Sequence, residues 1–301
     1  MSNPLLFSVV VLIWGSTWLA ITFQFGEVDP SISVAVRFFF AALILLAYCK
    51  YKGLSLALPR HIHVKMAGVG LCLYTLDYSL LYQSQQYIIS AIVALMSSGM
   101  VYINVVLRRV LLKKPIRTEV IVGATLGLIG IGLIFLPEFS KVSANDYILL
   151  GISFALGSFF FASLGNVISE RILDHGTPVI QMNFWAMGYG VVFLTINALV
   201  TGAEIVIPNN PNYYYSLVYL TVFGSVLAFG AYMQLVKQMG SDKAAYVVLV
   251  YPIVALILST IFEGYTWHTE AFIGVLVVLL GNAIAMGKLK INVFTKQSAS
   301  K

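Results

Sequence analysis

Apolar runs of about twenty residues, separated by short polar joints, follow one another along nearly the whole chain. A helix rising 1.5 Å per residue needs about 20 mostly apolar residues to cross ~30 Å of hydrocarbon. The pattern therefore predicts ten membrane-spanning helices, at 4–24, 31–50, 64–82, 88–107, 117–136, 146–169, 178–200, 213–236, 243–262 and 269–287. Pro30, Pro115, Pro178 and Pro208 fall in the joints, where a missing backbone N–H is tolerated. No joint is long enough for a soluble domain. The stretch 4–24 has span length and no basic residues before it, so it reads as a first helix rather than a cleaved leader. The expected fold is an all-α polytopic membrane protein.

The pattern also recurs on a larger scale. Thr118-Glu119 is followed by Gly123 and Gly130, and Thr269-Glu270 by Gly274 and Gly281 at the same spacing. Upstream, Ala91 aligns with Ala244, Val101 with Val254, and Gly99 with Pro252. An internal repeat of this length predicts two five-helix halves, 1–137 and 144–290, followed by a short basic tail at 291–301. Five is odd, so the second half enters the membrane inverted relative to the first. Inverted repeats are the architecture of many secondary transporters, with a substrate site at mid-depth between the halves.

Composition agrees with the membrane reading: 59% of residues are hydrophobic and 10% charged, against about 25% charged in soluble domains. The net charge of +6 is a topology signal rather than a nucleic-acid footprint, because sixteen of the eighteen Lys and Arg residues fall in joints on one side or in the tail. That side is expected to be cytoplasmic and to hold both termini, which suits an even number of spans. Cys49 and Cys72 imply no disulfide framework.

Two charges interrupt the apolar runs. Arg37 and Asp77 lie at similar depth, within ~10 Å of the non-basic end of their helices. Ionisable residues inside a bilayer are costly and are paired or face water. They are expected to pair or to share a polar network in a central cavity, where Arg37 holds a carboxylate and Asp77 takes a proton; a purely structural ion pair, or Arg37 snorkelling to the headgroups, is the alternative. Mid-depth counting adds Trp14 and Ser16 of the first helix, opposite Gly157-Ser158 of the sixth, with plain small-residue packing of the Gly-Ser pairs as an equal alternative. Tyr74, Trp185, Tyr189 and Tyr251 complete the candidate cavity set, and aromatic packing is the plainer explanation for each of the four. Asn104, Asn166 and Asn183 must bond across helices or line water, since a bare buried amide is expensive. The glycines of the fifth and tenth helices read as scaffold.

No HExxH, GxSxG, GxxxxGK[ST] or CxxC motif occurs, and His61, His63, His175 and His268 do not cluster. The sequence names no cofactor, no metal site and no catalytic residue. Without an ATP-binding motif, transport is not driven directly by hydrolysis.

In its Trp14-Gly15-Ser16-Thr17-Trp18 run, Pro30 with Arg37-Phe38, Ser90-Ala91, Gly123-Ala124 through Gly130, Pro252, Glu263, Gly274 and Gly281-Asn282, the chain resembles the EamA-type members of the drug/metabolite transporter superfamily. It departs from them at Gly99, where many have proline, and at Lys113-Lys114, where an acidic residue often ends the fourth span. The resemblance implies an inner-membrane carrier that exports small metabolites, amino acids first among them, by alternating access through a cavity built mainly from helices one to four and six to nine. Proton coupling and facilitated diffusion both fit so few buried charges. Uptake by the same fold is an alternative, as is, from another class, an intramembrane lipid-modifying enzyme. The expected partners are a small-molecule substrate and the lipid bilayer.

Overall fold

The computed structural model describes residues 2–24, 26–87, 93, 96–139, 147–262 and 267–289. Ser90-Ala91, Glu263, the 140–146 joint and the tail from 290 onward lie outside them. The described chain forms ten helices: α1 (Asn3–Thr22), α2 (Pro30–Tyr51), α3 (Arg60–Val69, Gly70–Leu76 and Asp77–Gln85 in succession), α4 (Met100–Leu112), α5 (Thr118–Phe139), α6 (Ile148–Asp174), α7 (Val179–Thr201), α8 (Pro211–Tyr219, Leu220–Leu227 and Ala228–Met239 in succession), α9 (Ser241–Ala244 and Val247–Phe262) and α10 (Thr269–Ala285). Six stretches are long and apolar enough to cross a bilayer by length and composition: Asn3–Ile21, Pro30–Tyr51, Leu149–Asp174, Val179–Thr201, Pro211–Met239 and Ser241–Phe262. Thr118–Ile134 and Thr269–Ala285 are shorter apolar helices. The molecule is a polytopic all-α membrane protein.

Local chemistry sets several boundaries. The Asp29 carboxylate accepts from the Ser31 amide at 2.8 Å just ahead of Pro30, and Asn210 accepts from the Asn212 amide at 3.0 Å ahead of Pro211. Each is an N-cap followed by a proline whose missing N–H needs no partner there. At the other end of α4, the helix runs five residues past the expected boundary and stops at Lys113, which takes a left-handed φ of 55°. That extension carries Arg108 off the expected loop and into a buried helical position.

The contact between α5 and α10 shows how the halves are related. A Cβ on Gly123 would lie 2.5 Å from the Gly281 carbonyl oxygen, and one on Gly281 would lie 2.6 Å from the Gly123 carbonyl oxygen. Gly130 and Gly274 meet in the same reciprocal way, at 2.6 and 2.5 Å. The first glycine of each helix thus touches the second glycine of the other, so matching helices of the two repeats run antiparallel. Self-complementary contact of this kind is the mark of a two-fold relation. Two inverted repeats meet here, and side chains any larger than hydrogen would hold the backbones apart.

The third helix of each half departs from α geometry at the same stage, with wider π turns at Gly70–Leu76 in α3 and Leu220–Leu227 in α8. Such turns often mark functional sites. Here each sits against the second helix of the opposite half. Gly70 lies so close to α7 that a Cβ would meet the Ala186 carbonyl at 2.7 Å, and Gly224 faces Arg37 of α2, whose guanidinium a Cβ would approach to 3.1 Å.

Polarity is turned inside out relative to a soluble protein. Leu12, Phe39, Phe40, Ile129, Phe160 and Leu276 face outward, while Arg37, Asn104, Arg108, Asn166, Glu170 and Asp242 are buried. Lipid solvates the first set, and only protein partners or a water-filled cavity satisfy the second.

Candidate functional site

Between the halves lies a cavity of about 150 Å³, walled by α1, α2, α3, α4, α6, α8 and α9. Toward the end where the basic joints do not lie, it reaches Ile21 and Tyr82, each within a turn of its helix end. A second, polar recess of about 270 Å³ opens at that end and shares Tyr78 and Tyr82 with the cavity. Toward the basic end the cavity stops at Asn166, Met100 and Val248.

Four of the eight residues expected to line a cavity come together on its wall: Trp14, Arg37, Asp77 and Tyr251. Arg37 and Asp77 do not ion-pair. Arg37 is buried and turned inward rather than to the headgroups; its Nε donates to Ser225 Oγ at 2.8 Å. Its guanidinium lies 5.4 Å from the Phe38 ring centroid and 5.6 Å from that of Tyr78, within cation–π range. Asp77, the residue directly after the α3 π turn, accepts from Ser158 Oγ at 2.5 Å. Each charge of the first half is therefore held by a hydroxyl of the second. The Trp14 indole N–H makes the same kind of crossing, donating to the Gly224 carbonyl at 3.2 Å. Tyr251 reaches Ser97 across the cavity floor at 3.3 Å.

The other four lie elsewhere. Ser16 bonds the Tyr219 hydroxyl at 2.5 Å, outside the cavity wall. Tyr74 is fully buried behind that wall, edge-on to Phe38 and Phe229 at 4.8 and 5.1 Å. Trp185 and Tyr189 serve the basic end. The Trp185 indole donates to the Leu56 carbonyl at 3.0 Å, and the Tyr189 hydroxyl bonds His63 Nδ1 at 2.9 Å. Together they moor the 52–59 joint and the start of α3. The two Gly-Ser pairs also part company: Gly15 admits α9, where a Cβ would strike Val254 at 2.6 Å, whereas Ser158 holds Asp77.

Sequence reading missed the cluster below the cavity. Arg108 Nε donates to both Glu170 oxygens, at 2.8 and 3.0 Å, and its Nη1 reaches Asp242 at 3.3 Å. Arg117 bridges Asp242 and the Met239 carbonyl, and the Ser241 amide and hydroxyl both donate to Glu170, at 2.9 and 2.7 Å. Arg108, Glu170 and Asp242 are almost wholly buried. The two arginines belong to the first half, and the carboxylates and Ser241 to the second. Gly240, with φ of +90°, turns the chain there and leaves room for the Arg108 guanidinium, which a Cβ would meet at 2.8 Å. One signal was available: Ser158, Ala162, Asn166 and Glu170 fall every fourth residue on α6, one inward stripe from cavity to cluster. Among the described residues no group of His, Cys, Asp and Glu is arranged to hold a metal ion.

An interior cavity on the interface of two inverted repeats, with single charges facing it, defines a carrier rather than a site for bond chemistry. Comparison with known proteins gives the family. The sequence profile of the EamA-like transporter family matches residues 2–136 and again 149–287, and the chain belongs to that family. It is a membrane transporter and not an enzyme. It is 28% identical over 257 residues to the "uncharacterized inner membrane transporter YedA" of Escherichia coli strain K12, covering 85% of this chain and 81% of that one. A Salmonella typhimurium protein named a "probable amino-acid metabolite efflux pump" is 21% identical over 294 residues, covering 95% of this chain and 93% of its own. A solved structure titled only "crystal structure of protein" superposes with a TM-score of 0.78 at 18% identity, over 95% of this chain and 97% of that one, and shares the fold.

Proposed function

We propose that this transporter exports small polar or amphipathic metabolites, amino acids foremost, by exposing the central cavity alternately to the two sides of the membrane. The observation that carries the reading is the pair of opposite charges on one cavity wall, each held by a neutral hydroxyl rather than by the other. A guanidinium with no carboxylate beside it suits a substrate carboxylate, and a carboxylate with no cation beside it suits an ammonium group or a proton. Trp14, Phe229, Tyr232 and Tyr251 offer aromatic surface between them for an apolar body. Enclosure between seven helices suits a small metabolite rather than a lipid or a peptide. The Salmonella relative named as an amino-acid metabolite efflux pump supports the substrate class.

Orientation follows the basic joints: their end is cytoplasmic, as are both termini, in the inner membrane. The Arg108–Glu170–Asp242 cluster then closes the cytoplasmic end of the cavity in this structure, and rocking of the halves parts it. The halves are 1–137 and 144–290. Proton coupling through Asp77 is part of the proposal, and facilitated diffusion is its alternative.

Reconstitution into liposomes with a panel of labelled amino acids and amines tests the reading. Saturable flux of one or more panel members is the expected result; no saturable flux of any would sink it. Asp77→Asn separates the two energetic readings. A coupled carrier loses its pH dependence with this change, whereas wild-type rates with an unchanged pH profile leave facilitated diffusion.

A further inference from the structure

Among the described residues four asparagines carry a buried side-chain oxygen with no partner: Asn104, Asn166, Asn183 and Asn282. Asn104 spends its Nδ2 on the Met100 carbonyl at 2.9 Å. Of the four, Asn166 alone lies on the wall of the central cavity, where it is 2% exposed. A buried amide oxygen without a donor is costly to keep, and one beside a cavity is placed to meet what enters it.

Its position says what that use is. Asn166 stands eight residues beyond Ser158 on the inward stripe of α6, about 12 Å along the helix axis from the hydroxyl that holds Asp77. Leu73, Phe159, Ala162 and Phe229 line the wall between. The cavity is thus charged at one end, apolar along its middle, and bounded at its floor by the side-chain amide of Asn166. We propose that Asn166 is a specificity-determining residue, accepting a hydrogen bond from a donor at the end of the substrate remote from its charged groups. The class of substrate this favours is elongated: a charged or zwitterionic head, an apolar body, and a hydroxyl or N–H at the tip. Sites built to hydrogen-bond such a group discriminate strongly against the analogue lacking it, because the protein partner is then left bare.

This rests on the transport reading above, and the test separates the two. L-tyrosine and L-phenylalanine differ by one hydroxyl at the remote tip. In liposomes holding the full-length protein, labelled tyrosine is expected to exceed phenylalanine in kcat/KM by about five- to tenfold, the effect of one hydrogen bond to an otherwise bare acceptor. Asn166→Leu, similar in size and without an acceptor, brings that ratio close to one, and Asn166→Gln restores part of it. A second measurement needs no substrate. Replacing an orphaned amide by an apolar side chain of equal size raises the melting temperature of the empty protein by a few degrees. A tyrosine-to-phenylalanine ratio unchanged in Asn166→Leu overturns the proposal. So does a lower melting temperature, which shows that the amide serves the fold. If neither amino acid moves while other panel members do, the elongated substrate class falls and the proposal with it; if no panel member moves, the transport reading itself falls.

Discussion

The two ends of the cavity are bounded by different chemistry. At the basic end, two arginines of the first half, Arg108 buried and Arg117 partly exposed, grip two buried carboxylates of the second. At the opposite end the halves meet through single, mostly neutral bonds. Ser33 bonds Tyr213 at 2.9 Å, Asn197 donates to Ser31 at 3.1 Å, Ser216 to the Ala20 carbonyl at 2.6 Å, and Asn210 to Glu27 at 3.1 Å. A neutral hydrogen bond contributes about 0.5–1.5 kcal/mol net, and several of them give way one at a time. A buried ion cluster behaves as a unit, because removing one member strands the others in low dielectric. The basic end is therefore expected to part as a unit, and the other end bond by bond.

The largest expected effect tests that contrast directly. Arg108→Ala leaves Glu170 and Asp242 buried with their main counter-charge gone, a cost of about 3–5 kcal/mol to the closed basic end. In a background with Cys49 and Cys72 replaced by alanine, Ala162→Cys on the cavity wall reports access to an impermeant thiol reagent. Without Arg108→Ala the cysteine reacts only from the non-basic side; with it, reaction from the basic side rises at least tenfold. No gain from the basic side would mean that the cluster does not close that end.

Next comes a change at neither end. Gly130→Ala sets a methyl about 2.6 Å from the Gly274 carbonyl, and overpacking of this kind costs about 1–3 kcal/mol. Melting temperature should drop while the sidedness of Ala162→Cys labelling stays the same. A change in sidedness would make the α5–α10 seam part of the gate. Smaller still, Ser33→Ala removes one neutral bond at the opposite end, worth about 1 kcal/mol. Flux in the liposome assay should change less than threefold; a loss as large as that from Arg108→Ala would erase the contrast. Smallest, Trp185→Phe gives up the bond to the Leu56 carbonyl but keeps the stacked ring. KM for the best panel substrate should stay within twofold, and a tenfold rise would return Trp185 to the substrate path.

The candidate site was half legible. Arg37 and Asp77 stood out because a charge inside an apolar run has few explanations. Arg108 did not, because a basic residue near a span end reads as a topology signal, and only the five extra residues of α4 turn it inward. Trp185 and Tyr189 lie on a span at a reasonable depth, yet their helix face is turned to His63 and the 52–59 joint. The π turns of α3 and α8 left no mark on the apolar pattern.

By itself the sequence determined the class, the helical architecture and the inverted duplication, because each rests on quantities that add along the chain: apolar length, charge count, and glycine spacing. Tertiary structure alone decided which face of each helix looks inward. In a bilayer both the lipid side and much of the protein side are apolar, so the hydrophobic period that orients a helix in water falls silent. What then turns the helices is close contact between small residues and the few polar groups with no other partner, and those meet only when the two halves are brought together.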